Sequence, residues 1–340
     1  MEISACPWLE QENAPRETVS LRNVFLHVTK ACNLHCSYCY FSASKPLPDE
    51  MTTDEFARLW DDMVALRPHK VILTGGEPLL RPDILDLLRG LQAADPLHHV
   101  LRCLNTNGHL VTRELARELV GLADEVRVSI DALAARNDAL RGQGNFDAAM
   151  RALEEYYRVG FEPKVLVTVT QASLPDLTDL LVLLISKKLT RININLFRPI
   201  GRGKGHSELR VNPAEVRAAV RRAWERAYPD KPIPPDPIEP DACTNCGVGS
   251  FLNIMPNGDV FPCHVLTDRA FRAGNVRESS LHEICQRAGL LGRLSRLDFR
   301  ELAERDPRLV PLAQPHVCMG NVYADTKTTV DWNTLLVQET

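Results

Sequence analysis

Short apolar runs alternate with longer amphipathic stretches over residues 20–200 of the chain. The runs predict strands at 24–28, 71–74, 99–105, 125–130, 164–170 and 191–197. The stretches between them repeat with the period of a helix and predict helices at 53–66, 82–91, 112–122, 146–159 and 175–186. Six alternating units are typical of a parallel sheet covered by helices. The predicted fold class is α/β, with a partial (β/α)6 barrel of the TIM type.

Polar motifs follow the first four predicted strands at their carboxyl ends. A loop with three cysteines spans 32–39, Gly-Gly-Glu-Pro spans 75–78, Asn-Thr-Asn-Gly spans 105–108, and Ser129 and Asp131 close the fourth strand. Barrels of this type place their chemistry at the carboxyl ends of the strands. We therefore expect these motifs to meet in one site.

Beyond residue 200 the pattern changes. A helix is predicted at 213–228, a proline-rich linker follows, and a cysteine-bearing segment then begins with a hairpin at 251–255 and 260–261. The expected domains are an N-terminal extension at 1–20, the barrel at 21–206, a helix and linker at 207–240, and a small cysteine-rich domain at 241–340.

Composition excludes some classes of protein. The 340 residues carry a formal net charge of −4, without the basic clusters of a nucleic-acid or membrane-surface protein. No apolar run is long enough to span a membrane, and residues 1–13 do not resemble a signal peptide. We expect a cytoplasmic protein. Its 10 cysteines are then more readily metal or redox ligands than disulfides.

Cys32, Cys36 and Cys39 form a C-x3-C-x2-C motif. Thiolates are the ligands that iron-sulfur clusters take, and three of them leave one iron of a 4Fe-4S cluster free. A zinc site with a fourth ligand from His35 or elsewhere is the alternative.

With an aromatic residue, Tyr38, before its last cysteine, this motif resembles the signature of radical S-adenosylmethionine (SAM) enzymes. In that family SAM chelates the free iron, and the reduced cluster cleaves SAM to a 5'-deoxyadenosyl radical. The resemblance implies that Gly75, Gly76 and Glu77 bind the amino group of SAM. Taken singly, the glycine motif could be a simple turn.

A second stretch, 129–142, resembles radical SAM enzymes with SPASM or twitch extensions. This likeness implies that Ser129 and Asp131 approach the ribose of SAM and that Arg141 approaches its carboxylate. Asn105 is also a candidate for SAM binding. The alternative for 129–142 is a capped helix start with a surface arginine.

Four further cysteines lie near the C-terminal end: Cys243, Cys246, Cys263 and Cys318. Their spacing could form a zinc ribbon. Their order resembles the auxiliary cluster of SPASM and twitch extensions, which implies one fully ligated auxiliary 4Fe-4S cluster. A full SPASM extension has seven or more cysteines, and only Cys285 remains here, so we expect a shortened, twitch-like extension.

Substrate contacts are harder to assign. Asn193 and Asn195 share one face of the sixth strand, and Cys103 shares a face with Asn105, so these three are candidates for the catalytic site. Arg198, Arg202 and Lys204 follow the sixth strand and could bind an anionic group. The alternatives are a hydrogen-bonded amide pair and a solvated loop.

We expect an enzyme that abstracts a hydrogen atom from a small anionic substrate, such as a sugar acid, nucleoside or aminoglycoside-type precursor in natural-product or antibiotic biosynthesis. Decarboxylation, epimerisation or dehydrogenation would follow, with flavodoxin or ferredoxin as electron donor. One alternative is a maturase of a ribosomally made peptide, although only about twenty residues precede the first strand, too few for a peptide-recognition domain. A non-enzymatic zinc or electron-transfer protein is the other.

Overall fold

The computed structural model of the protein describes residues 17–232, 246–313, 318–327, 329, 330 and 332. Six parallel strands form in the predicted places: β1 (Asn23–Thr29), β2 (Lys70–Gly75), β3 (Leu101–Thr106), β4 (Glu125–Ser129), β5 (Lys164–Val169) and β6 (Ile192–Leu196). Neighbours along the chain are neighbours in the sheet, in the order β6-β5-β4-β3-β2-β1. The predicted partial barrel is confirmed.

Helices connect these strands: α1 (Thr53–Ala65), α2 (Ile84–Ala94), α3 (Arg113–Leu119), α4 (Ala134–Arg141), α5 (Asn145–Arg158), α6 (Leu177–Ser186) and α7 (Pro213–Ala227). Local sequence fixes several of their ends. Thr52 and Glu55 form a capping box at the start of α1, and Asn212 caps α7 ahead of Pro213. Helix α4 was not among the predicted helices.

The two faces of the sheet differ. On β1, Val24, Leu26 and Val28 are buried in the main core with the helices. The alternate residues point to the opposite face, which we call the lumen face. Strand register places these side chains on it: Phe25, His27, Ile72, Thr74, Cys103, Asn105, Arg127, Lys164, Leu166, Thr168, Asn193 and Asn195.

The C-terminal hairpin continues the barrel sheet. Strand β7 (Phe251–Ile254) pairs parallel with β1, and β8 (Asp259–Phe261) and β9 (Gly274–Asn275) follow antiparallel. The predicted hairpin is confirmed, and its turn uses Gly258 at φ 87°. Its pairing with β1 joins the auxiliary segment to the barrel in one nine-stranded sheet.

A second core lies C-terminal to the hairpin. Phe261, Phe271, Leu294, Phe299 and Met319 belong to it. Three short helices contribute residues to it: α9 (Leu290–Ser295), α10 (Phe299–Arg305) and α11 (Met319–Thr326). The short helix before them, α8 (Leu281–Ile284), packs in the main core instead. In the described part of the chain no helix is long and apolar enough to cross a membrane.

Candidate active site at the carboxyl ends of the strands

The loop that follows β1 carries Cys32, Cys36 and Cys39, all partly exposed. Backbone hydrogen bonds fix it at both ends, from Cys32 N to Ser44 O at 2.9 Å and from Ser37 N to Leu140 O at 3.1 Å. The Leu34 amide also donates to the Cys32 sulfur at 3.4 Å. The loop is thus anchored to the rest of the molecule.

Electrostatics around the three thiols fit an iron-sulfur cluster. Burial, together with the nearby Glu77, Cys36 and Cys39, raises the pKa of Cys32 to about 11. Burial also raises the pKa of Cys36. The thiolates of Cys32 and Cys36 are therefore unfavourable here unless a cationic metal group compensates them, as iron does when it binds cysteine sulfur.

Within the described ranges, no three His, Cys, Asp or Glu side chains surround one point as ligands of a single metal ion do. The cysteines of a 4Fe-4S cluster do not need to surround one point, because each of them binds a different iron.

The Gly-Gly-Glu turn packs directly against this loop. Gly75 has φ 131°, and a Cβ there would lie 2.3 Å from Thr29 O. A Cβ at Gly76 would lie 1.9 Å from Ala31 O. The amides of Gly76 and Glu77 donate to the same two carbonyl oxygens at 2.8 and 2.7 Å. The backbone approach therefore requires glycine at both positions.

Glu77 is 1% exposed and joins the ends of β2 and β3. Its carboxylate accepts hydrogen bonds from Thr106 Oγ1 at 2.8 Å, Asn107 N at 2.7 Å and Leu79 N at 3.2 Å. Burial raises its pKa to about 7 against the opposite effect of these bonds. The structure thus gives Glu77 a positioning role, and its contact with the SAM amino group stays a prediction.

Tyr38, Asp131 and Arg141 contact one another. The Tyr38 hydroxyl donates to Asp131, and Arg141 Nη1 donates to the Tyr38 oxygen at 2.8 Å and to Asp131 Oδ2 at 2.9 Å. The other Asp131 oxygen accepts from Thr168 N at 2.7 Å. All three side chains are buried. These three side chains join the loop of Cys32, Cys36 and Cys39, which we call the cluster loop, to β4, α4 and β5.

Four asparagines that the sequence analysis did not assign complete this network. Asn33 accepts from Asn107 Nδ2 at 2.7 Å, and Asn107 O accepts from Asn145 Nδ2 at 3.0 Å. Asn145 accepts from Asn137, which in turn accepts from the Asp131 amide. These hydrogen bonds form a closed series that begins in the cluster loop at Asn33, beside Cys32, and ends in the same loop at Tyr38. We call this series of hydrogen bonds the asparagine ring.

The remaining candidates on the lumen face are dispersed. Asn105 Nδ2 donates to Thr74 Oγ1 at 3.2 Å, and its Oδ1 is buried without a partner. Ser129 is half-buried at the end of β4. Asn193 and Asn195 are exposed rather than buried, because β6 is the edge strand of the sheet. Cys103 is buried 3.8 Å from the Glu125 carboxylate, and burial raises its pKa to about 11.

Arg202 contacts the cluster loop. Its Nε donates to Cys36 O at 2.9 Å and its Nη1 to Ala43 O at 2.6 Å. The guanidinium thus stabilises the loop of Cys32, Cys36 and Cys39, whereas the sequence analysis gave Arg202 as a candidate contact for an anionic substrate group. Lys204 is exposed and Arg198 half-buried, and their predicted role toward an anion stays a prediction.

Among the C-terminal cysteines, Cys246, Cys263 and Cys318 lie close together. Burial, with the neighbouring thiols of Cys246 and Cys318, raises the pKa of Cys263 to about 12. Cys243 lies outside the described residues. Cys285 is fully buried in the main core, away from this group. Burial raises the pKa of Cys246 as well. The thiols of Cys246 and Cys263 thus fit an auxiliary cluster for the same electrostatic reason as Cys32 and Cys36, and Cys318 lies beside them.

Two histidines line the wall between the cysteine groups. His27 stacks on Phe41 with ring centroids 4.2 Å apart, and its Nε2 pairs with Asn253 Oδ1 at 2.6 Å. His264, next to Cys263, lies 5.6 Å from the Tyr40 ring. Burial lowers the pKa of His27 to about 3, so the ring is neutral. Periodicity alone could not single out these residues.

Comparisons with known proteins agree with this geometry. The radical SAM superfamily model matches residues 26–188, and an iron-sulfur cluster-binding domain, SPASM, matches 243–312. The chain is 31% identical over 293 residues to the mycofactocin maturase MftC of Mycolicibacterium smegmatis, covering 82% of this chain and 71% of that protein.

An AdoMet-dependent heme synthase of Nitratidesulfovibrio vulgaris is 30% identical over 327 residues, covering 86% of this chain and 85% of the synthase. Among solved structures, native anSMEcpe with bound AdoMet and the Cp18Cys peptide superimposes with a TM-score of 0.65 at 17% identity. That match covers 91% of this chain and 94% of anSMEcpe, and it supports the fold.

Proposed function

Because the chain belongs to the radical SAM superfamily and carries a SPASM domain, we propose that it is a maturase that uses SAM to modify a peptide. Its cofactors are a 4Fe-4S cluster with SAM and an auxiliary iron-sulfur cluster. When bound, the reduced cluster and SAM supply a 5'-deoxyadenosyl radical that abstracts a hydrogen atom from the substrate.

The observation that carries the proposal is the anchored cysteine loop. Cys32, Cys36 and Cys39 hold the SAM cluster in this proposal, and the asparagine ring and Arg202 keep their loop in place. The Gly75-Gly76 turn leaves no room for side chains beside the loop. Such preorganisation limits the motion of reacting groups.

The peptide substrate replaces the small anionic molecule expected from the sequence. The reason for choosing a peptide is the sequence similarity to mycofactocin maturases, which extends over most of this chain and most of theirs. The lumen face also suits a peptide. His27 Nδ1 and Asn105 Oδ1 are buried without partners, and both accept hydrogen bonds, as His27 Nε2 already faces an acceptor. Backbone N–H groups of a peptide are suitable donors.

The auxiliary cluster is held in this proposal by Cys246, Cys263, Cys318 and Cys243. With four cysteine ligands such a cluster would have no open iron, and it would supply electron transfer or support the wall of the substrate site. The His27 and His264 rings lie along that wall. An external flavodoxin or ferredoxin completes the electron supply.

The test uses anaerobically reconstituted protein with dithionite and SAM. A pool of synthetic peptides is added to one sample and a pool of sugar acids, nucleosides and haem precursors to another. The proposal predicts faster 5'-deoxyadenosine formation and a mass change only with peptides. Acceleration by the second pool alone overturns the peptide proposal. Cys32→Ala is the inactive control, whereas Cys318→Ala should retain uncoupled SAM cleavage without product.

A further inference from the structure

Four cations surround a single carboxylate on the lumen side of the sheet, near the amino ends of the strands. Glu125 lies 2.7 Å from Lys70 Nζ and 2.7 Å from Arg127 Nη2. Lys164 Nζ lies 3.3 Å and Arg191 Nη2 3.7 Å from the same carboxylate. We call Lys70, Arg127, Lys164 and Arg191 the basic cluster. With Glu125 included, its formal charge is +3.

These groups are largely removed from solvent. The side chains of Glu125, Arg127 and Lys70 are 7%, 11% and 17% exposed. Lys164 and Arg191 are 23% and 37% exposed, and they open the cluster to the outside. Burial lowers the pKa of Lys164 even though Glu125 opposes the shift, because Lys70 and Arg127 add repulsion. One carboxylate therefore does not neutralise the cluster.

A structural role does not account for four cations. A buried carboxylate needs one well-placed cation, and each further one adds repulsion in a region of low dielectric constant. Although its own burial opposes the shift, Arg127, Lys70 and Lys164 hold the pKa of Glu125 well below its usual range, so the carboxylate is already fully ionised. The excess positive charge is thus available for a second anion.

The basic cluster is continuous with the proposed substrate surface. In the strand register His27 is beside Thr74, Asn105 is beside Arg127, and Arg127 is beside Lys164. A hydrogen bond between Thr74 and Asn105 joins the two halves. The lumen face thus changes from neutral hydrogen-bond acceptors near the cysteine loop to cations near the amino ends of the strands.

We propose that the basic cluster binds a carboxylate of the substrate while the rest of the substrate lies along the lumen face. The inference rests on the proposed function in that it places the substrate in the lumen. Carboxylates suit the cluster because Lys and Arg form strong charge-assisted hydrogen bonds with them. The carboxylate belongs to an acidic side chain or to the end of the peptide.

The test measures binding of radiolabelled glutarate to the holoenzyme with SAM by equilibrium dialysis at low salt. Glutarate is a dicarboxylate, and its uncharged diamide is the matched competitor. Wild-type protein should bind glutarate, and the diamide should not displace it. Lys164→Gln and Arg191→Gln should each weaken binding about tenfold, since each removes one charged hydrogen-bond donor.

Two variants serve as controls. Lys187→Gln removes the same charge outside the lumen, where Lys187 pairs with Glu154 at 3.6 Å, and it should bind glutarate like the wild type. Glu125→Gln removes the internal competitor and should tighten binding about tenfold. A merely structural cluster would not give effects of opposite sign. Displacement by the diamide, or equal binding by the Lys164 and Lys187 variants, overturns the proposal.

Two peptide competitors separate the sources of the carboxylate. Acetylated penta-alanine has a free terminal carboxylate, and its amidated analogue with one central glutamate has only a side-chain carboxylate. Displacement by either supports the proposal and identifies the source, whereas displacement by neither overturns it. 5'-Deoxyadenosine formation is measured in the same preparations. Glutarate binding without SAM cleavage would contradict the proposed function alone, and cleavage without glutarate binding would contradict this inference alone.

Discussion

Replacing Asp131 with asparagine is expected to destabilise the protein strongly even without SAM. The carboxylate accepts hydrogen bonds from Tyr38, Arg141 and Thr168, and it is 1% exposed. An amide at this position presents an NH2 group to donors and leaves the buried Arg141 without its counter-ion. The perturbation therefore acts on the folded protein and not on a cofactor contact.

The expected size follows from the contacts. Breaking a buried ion pair by removing one partner costs about 3–5 kcal/mol. Tyr38→Phe is the matched variant. It removes one hydroxyl but leaves Arg141 bonded to Asp131 at 2.9 Å, so it should cost about 1 kcal/mol. The double variant should lose less unfolding free energy than the sum of the two single variants, because without the Asp131 carboxylate the Tyr38 hydroxyl has already lost its acceptor.

Urea unfolding of the SAM-free protein, followed by far-UV circular dichroism, measures both effects. With an m-value of about 3 kcal/mol/M, Asp131→Asn should lower the midpoint by about 1–1.7 M and Tyr38→Phe by about 0.3 M. Equal midpoints for wild type and Asp131→Asn would refute the reasoning. Asp131 would then act only through SAM, as the sequence resemblance alone implies.

Three further predictions concern the same site. Burial raises the Glu77 pKa from 4.5 to about 7, so the folded protein holds a proton that the unfolded chain releases. Unfolding free energy of the metal-free protein should thus fall by about 3 kcal/mol as pH rises from 4.5 to 7, and Glu77→Gln should abolish this slope in urea titrations. Arg202→Gln should accelerate loss of iron to a chelator, whereas Lys204→Gln on the same loop should not; equal rates would contradict the anchoring role. Gly76→Ala should prevent assembly of the SAM cluster, since its Cβ meets Ala31 O, whereas Gly121→Ala, with open space around it, should still assemble the cluster, as iron analysis will show.

The sequence predicted the barrel well because its signals are local. All six strands fall within two residues of their predicted ends, since apolar runs bounded by turn residues mark a buried parallel strand. The pairing of β7 with β1 was not predicted, because it depends on contacts between residues about 230 positions apart, such as Val24 and Leu252. A helix in the stretch of α4 was only the alternative prediction, because that stretch was interpreted first as a binding motif.

In the candidate site, too, the residues with a local sequence pattern could be predicted and those brought together from distant elements could not. Cys32, Cys36 and Cys39 could be predicted as cluster ligands from their spacing, since cluster ligands within one loop leave a local pattern. The asparagine ring left no such pattern, because Asn33, Asn107 and Asn145 come from separate elements and single asparagines are common in turns. Arg202 was a candidate substrate contact because it follows the sixth strand together with other cations, whereas its guanidinium donates to carbonyl oxygens of the cluster loop.

The measurement that tests the central claim most directly is 5'-deoxyadenosine formation by the dithionite-reduced holoenzyme with SAM. Wild type, Cys36→Ala and Cys285→Ala are compared, the last as a buried cysteine of the main core outside both cysteine groups. Wild type and Cys285→Ala should form 5'-deoxyadenosine, and Cys36→Ala should form none. No 5'-deoxyadenosine from iron-loaded wild type, or wild-type levels from Cys36→Ala, would contradict the account.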